Sequence, residues 1–349
     1  SGQLAALGTA QIAALESADL AALKTNAIAA LGSGQLAALG NDAAGASHID
    51  VLTTAQIAAL RSTALAGLST RQIAALSTAQ AATLSSQQVA SLSTLQIAAL
   101  ETADLAALKT NAIAGLGSAL LAALGSTQLG ALTTAQFGAL SSAQIGALGS
   151  QTVAGLSTTN LAAMSLQALA GLDATLLSSL SQGQLNSLST RQVAALQSQQ
   201  IAALGSQQLG GLTLAQIGAL GSRQVAGLSV ADFGAFDLAH VMAFGTAAIA
   251  SLRPEQLAAL GTDWSGLPAL FGALTTAQVA AMGTGALQGM TTAQMLSLST
   301  AQAGALSSAQ LASLSATLLT RMSAADVAAL RTNAIAGLKT AQAAVLGSG

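Results

Sequence analysis

Apolar residues recur along this chain every eight positions. With the main apolar residue of each octad taken as position 0, Leu52, Leu60, Leu68, Leu76, Leu84, Leu92 and Leu100 all fall on it. The run continues to Leu260, with Met164, Phe236 and Phe244 as variants; a shorter run covers Leu7 to Leu39, and a third covers Leu274 to Leu346. Position 5 is apolar as well, as in Ile57, Ile73, Val89 and Ile97. Positions 6 and 7 are almost always Ala, Gly or Ser, and position 4 is Gln in slightly more than half of the octads.

One continuous helix cannot use this pattern. At about 100° per residue, eight residues advance the apolar stripe by roughly 80° beyond two full turns, so it would smear around the cylinder. The chain must therefore bend once per octad. Ser69 as N-cap puts Gln72 at N3, a Ser-x-x-Gln capping box, with Leu68 and Ile73 as a hydrophobic staple. In the same frame Pro254 falls at N1, where its missing N–H costs nothing. The pattern leaves open whether position 1 or position 2 is the cap, and Gly at position 1 (Gly32, Gly125, Gly205) can instead close the preceding helix at C′.

Each octad thus predicts a helix of about six residues, roughly 9 Å long, too short to be stable alone. Positions 5 and 0 lie three apart and share a face, and the small residues at 6 and 7 permit close backbone approach. The expected fold is all-α, a solenoid of very short helices with one per octad, in which stacking buries a continuous Leu/Ile seam. The alternative is a β-solenoid with octapeptide rungs. Ala, Leu, Gln and Met outweigh Val, Thr and aromatics, and the apolar spacings are five and three, which favours helix.

A single elongated solenoid over 1–349 is expected, interrupted by insertions at 40–44 ("GNDAA") and 261–266 ("GTDWSG"). Insertions into repeats emerge as loops, which makes Asp263 and Trp264, the only tryptophan, a candidate contact loop. Asp232, Asp237 and His240 lie among three of the five Phe residues, and His48 has Asp42 and Asp50 nearby in sequence. Carboxylate and imidazole suit several divalent ions. Neither group has a ligand-spacing motif, so a thickened core and a solvated loop are the expected readings. Within octads the charges fall at positions 1, 3 or 4, apart from Arg321 and Asp50, which reads as a solvated edge.

Composition narrows function by exclusion. Ten Lys plus Arg against twelve Asp plus Glu give a net charge of −2, with no basic footprint for nucleic acid. With two His and no Cys there is no convincing nucleophile–base pair, so an enzyme is not expected, and neither is a cofactor. Polar residues interrupt every octad, so no run approaches the roughly 20 apolar residues of a spanning helix.

The segment from Gly8, "GTAQIAALESADLAALKTNAIAALGS", returns from Ser93 as "STLQIAALETADLAALKTNAIAGLGS". "LGSG" and "SGQLAALG", at the two ends, fused over Ser-Gly reproduce "LGSGQLAALG" of residues 31–40, which predicts continuation into, or head-to-tail stacking with, another copy. "LTTAQIAAL" (52–60) and "LTTAQFGAL" (132–140) resemble the LTTAQ-type Ala/Leu/Gln-rich repeats of very large secreted or surface proteins of bacteria. That resemblance, over nearly the whole chain, implies an extracellular or cell-surface location. Haem labels attached to such proteins find no support in His48 and His240 alone. The expected function is a rod, fibre or filament segment that associates end to end or laterally. The alternative is a binding module presenting Ser/Thr/Gln arrays to ice, polysaccharide or mineral.

Overall fold

The structure is a computed structural model that describes residues 4, 6–39, 48–249, 251–253, 255–256, 271–272 and 274–346. Among them no strand occurs, and nearly every octad holds one helix of four to seven residues, as at Thr54–Ala59, Ser62–Leu65, Thr70–Ala74 and Thr340–Leu346. The all-α reading holds and the β-solenoid does not.

The cap is position 1. Ser69 Oγ accepts from the Gln72 N–H at 3.2 Å, and Gln72 Oε1 accepts from the Ser69 N–H at 2.8 Å, so the box closes in both directions. The bend consists of two successive extended residues, such as Leu60 (φ −62°, ψ 138°) and Arg61 (φ −70°, ψ 143°). No left-handed residue is needed at such a corner. Gly32, Gly125 and Gly205, with φ of −89°, −73° and −69°, are accordingly N-caps, which corrects their expected use as C′ closures.

Two compact units are present, Ser1–Leu188 and Ser189–Gly349, and each follows the same rule internally. A helix packs against the helices three octads before and after it. In the first unit Ser86–Ala90 packs on Ser62–Leu65 and Thr110–Ala114, and in the second Ser198–Ala202 packs on Ser222–Gly227. Side-chain hydrogen bonds reach back to the octad four earlier, as from Gln88 to Ile57 O and Leu60 O. One turn therefore takes between three and four octads.

Positions 5 and 0 form the core: Ile57, Ile73, Ile97, Phe137 and Ile145 are fully buried, and the leucines at position 0 nearly so. The small residues at 6 and 7 let backbones touch. A Cβ on Gly171 would lie 2.1 Å from Ser142 O, and one on Gly138 would lie 2.8 Å from Ala163 O. Such approaches exclude even a methyl group without backbone movement.

The insertions at 40–44 and 261–266 themselves lie outside the described residues, but the turns around them are informative. Gln72 bonds to Leu36 O and Leu39 O, 36 and 33 residues back, where 31 and 28 are usual, so five extra residues are carried without shifting the stack. Gln278 instead bonds to Ile249 O and Leu252 O, 29 and 26 residues back. There the path holds one octad fewer, with 261–266 in its place.

Candidate functional site

The chain's recurrent chemical device is a ladder of glutamines at position 4. In Gln136 the amide serves two directions at once. Its Oε1 accepts from the Thr133 N–H at 2.8 Å, completing the cap of its own helix, while Nε2 donates to Leu105 O at 2.9 Å and Leu108 O at 2.6 Å in the preceding turn. Those carbonyls belong to a helix end, where backbone acceptors lack intrahelical donors. One side chain therefore answers an orphan at the start of its own helix and another, Leu108 O, at the end of a second helix, and adds a further donor to Leu105 O, which already accepts from the Leu108 N–H. Gln144, Gln184, Gln224 and Gln310 repeat the arrangement.

This burial corrects two expectations. Gln136 and Gln294 are 1% and 0% exposed, so most position-4 glutamines do not belong to a solvent-facing array, although a few such as Gln128 are half-exposed. Nor do all charges lie on a solvated edge: Asp104 and Asp232, at position 4, are buried. The exposed edge is formed by positions 1 to 3, as at Thr133, Thr134 and Ala135.

Aspartate at position 4 cannot donate, and the structure shows how the site adapts. Asp232 Oδ2 accepts from the Ser229 N–H and hydroxyl at 2.9 and 2.7 Å, and Oδ1 lies 3.4 Å from Ser206 Oγ. Asp104 accepts from the Thr78 hydroxyl, and its Oδ2 is buried with no partner. Burial pushes the Asp104 carboxyl above its ordinary value; Thr78 and the Glu101 N–H oppose this, and the Glu101 carboxylate adds to it. At Asp326 burial also acts upward, but the Ser323 hydroxyl and N–H and the Thr300 hydroxyl outweigh it and hold that carboxyl low.

Asp104 thus holds its proton to higher pH in the folded chain than in the unfolded one. Its contribution to stability is full below the unfolded carboxyl value and is lost as pH rises through the raised one. The helices packed on it, Thr78–Ala81 and Ser126–Gly130, carry no ionisable side chain, which leaves Glu101 as the neighbouring charge. Asp104→Gln is expected to remove this slope and to supply a donor towards Ile73 O and Leu76 O, raising stability at pH 7 by about 1 to 2 kcal/mol. Urea denaturation at pH 4 and pH 7 checks it; a variant less stable than the parent at pH 7 contradicts it.

His240 also stands at position 4. Its Nε2 lies 3.3 Å from Leu212 O, where a glutamine amide would reach, and its Nδ1 lies 2.6 Å from Asp237 Oδ1. The His240 backbone N–H, followed by its ring, holds the Asp237 carboxyl below its ordinary value. Asp232 faces Ser229 and Ser206 instead, so Asp232, Asp237 and His240 are not brought together, and among the described residues no three such side chains gather as metal ligands. Phe233, Phe236 and Phe244 are buried and meet edge-on or tilted at 5.4 to 6.4 Å, a locally aromatic core. His48 is half-buried and Asp50 exposed. Asp42, Asp263 and Trp264 lie outside the described residues, and with them the candidate contact loop.

With the ladder in place, its sequence signature has a counterpart. Residues 12–46, 97–134, 121–158, 193–230 and 279–316 match the family model described as the ALTTAQ repeat. The chain carries ALTTAQ repeats. The Gln of the ALTTAQ phrase is the ladder residue, and the Thr that opens its helix is the cap, as Thr133 and Gln136 show within "LTTAQFGAL". Two of the matches begin three octads apart, at 97 and 121, the separation at which ALTTAQ helices pack. No curated protein matches this chain.

Proposed function

We propose that the ALTTAQ octads are structural: a non-catalytic segment of a rod or filament, outside the cell or on its surface, that associates with copies of itself. The observation carrying this reading is the ladder, because within each unit successive turns are bonded by the same side chain to the same backbone acceptors. A scaffold of that kind extends by repetition. A net charge of −2 provides little repulsion between copies, and two His with no Cys provide little catalytic material. No described helix is long and apolar enough to cross a membrane.

Sedimentation velocity and negative-stain microscopy of the full chain test the reading. Concentration-dependent elongated assemblies are expected. Leu7→Asp and Leu346→Lys are each expected to stop assembly while leaving helicity by circular dichroism nearly unchanged, since both residues are half-exposed. A strictly monomeric chain at all concentrations overturns self-association.

A further inference from the structure

Among the described residues four octads carry Asp in the ladder place, and they are of two kinds. Asp232 and Asp326 follow a Ser at position 1. The hydroxyl and backbone N–H of Ser229 and Ser323 donate to those carboxylates at 2.7 to 3.0 Å. Asp19 and Asp104 instead follow a Glu, Glu16 and Glu101. An ionised glutamate side chain has no proton to donate, so the Glu101–Asp104 corner sets two carboxylates where the first kind sets a carboxylate and a hydroxyl.

Asp104 is 2% exposed, and its partners, the Thr78 hydroxyl and the Glu101 N–H, leave Oδ2 unbonded. Ile73 O and Leu76 O stand 31 and 28 residues before it, in the places that receive the amide of a glutamine rung. Asn160, equally short and at the same position, shows where the second atom of such a side chain points. Its Nδ2 donates to Leu129 O, 31 residues back, at 3.1 Å and stops short of Leu132 O, 28 back. In Asp104 an oxygen takes the place of that nitrogen. Ile73 O keeps the Leu76 N–H at 3.2 Å, whereas no donor among the described residues reaches Leu76 O. Oxygen therefore faces oxygen at this rung, with no N–H or O–H between the two turns.

We infer that the Glu101–Asp104 corner is a calcium site, in which Asp104 Oδ2, Leu76 O and Ile73 O hold the ion from the buried side and the exposed Glu101 carboxylate closes it at the solvent edge. Carboxylate and backbone carbonyl oxygens are the ligands that calcium takes, in a geometry loose enough for donors already fixed by the fold, whereas magnesium demands a near-ideal octahedron. Two carboxylates balance the double charge. The ion does by charge what the amide does by hydrogen bonding elsewhere, tying the helix Thr102–Ala107 to the end of Thr70–Ala74. This site does not depend on self-association.

Urea denaturation of the full chain at neutral pH, in calcium chloride and in a chelator, tests the site together with calorimetric titration of the same chain with calcium. For a dissociation constant of about 0.1 to 1 mM, about 10 mM calcium should raise the folding equilibrium constant by about tenfold to a hundredfold. Magnesium should give a smaller effect. Uptake should weaken as pH falls, because the proton that burial holds on Asp104 competes with the ion. Asp104→Asn places at this rung a residue that the ladder already accepts at Asn160, and Glu101→Ser recreates the Ser229–Asp232 corner, so both variants should fold. Each should lose the calcium response, and Asp232→Asn should keep it. Equal denaturation midpoints with and without calcium in the parent chain overturn the site, and so does a calcium response that survives both substitutions.

Discussion

Replacing Gln136 with Met is expected to destabilise the unit Ser1–Leu188 by about 3 to 5 kcal/mol, although the side chain keeps its length and gains apolar character. The loss comes from the groups left behind. Leu108 O remains buried in the preceding turn without a donor, Leu105 O keeps only the Leu108 N–H at 3.3 Å, and the Thr133 N–H loses its acceptor. Each buried group left unsatisfied costs about 1 to 3 kcal/mol, and burying a thioether in place of an amide returns only part of that. Gln128→Met is the natural comparison. Gln128 is half-exposed and bonds to Ala98 O and Leu100 O at the solvent side, where water replaces the lost donor, so its effect should be about 1 kcal/mol. Chemical denaturation of the two variants separates the cases; equal losses would mean that burial of the amide does not matter.

Two adjacent residues give the second large contrast. Leu156 is 4% exposed at position 0, and Leu156→Ser removes its aliphatic packing and buries a hydroxyl, for an expected loss of about 2 to 5 kcal/mol. Ser157 is the N-cap of Thr158–Ala163. Its Oγ accepts from the Asn160 N–H at 3.1 Å and donates to Asn160 Oδ1. Ser157→Ala leaves one helix start uncapped and should cost about 0.5 to 2 kcal/mol. A measurement giving the two substitutions equal cost would refute the octad frame, because that frame assigns one residue to the core and its neighbour to the rim.

Helix, cap and core were legible in the sequence because all three are local. The capping box Ser69–Gln72 and the staple Leu68–Ile73 lie within six residues of each other, and an eight-residue period that does not fit 3.6 forces a bend. The second role of glutamine was less visible. A capping box explains Gln at N3 but not its greater constancy compared with the varied Ser, Thr, Gly, Arg or Lys at position 1. Nothing local separates a capping glutamine at the rim, such as Gln128, from one covered by the preceding turn, such as Gln136.

The number of octads per turn was not legible at all. A local period carries no information about which octads meet after the chain has gone around, and only the separations of 28 and 31 residues in the ladder reveal it. The substitutions at position 4 were misleading for a related reason. Asp104 looks like an ordinary surface charge until the turn that covers it is known.

Stacking with three to four octads per turn is tested most directly by an intramolecular disulfide. A Cβ on Gly115 lies 3.2 Å from Ser86 Cβ across successive turns, close to the separation a disulfide spans, whereas one on Gly130 meets nothing within 4 Å. The full chain carrying Ser86→Cys and Gly115→Cys should oxidise rapidly to a single intramolecular crosslink, identified by mass spectrometry of the digested protein. The pair Ser86→Cys and Gly130→Cys should remain reduced under the same conditions. Rapid closure of the first pair alone is the result that stacked turns predict; closure of both at similar rates, or of neither, would contradict the stack.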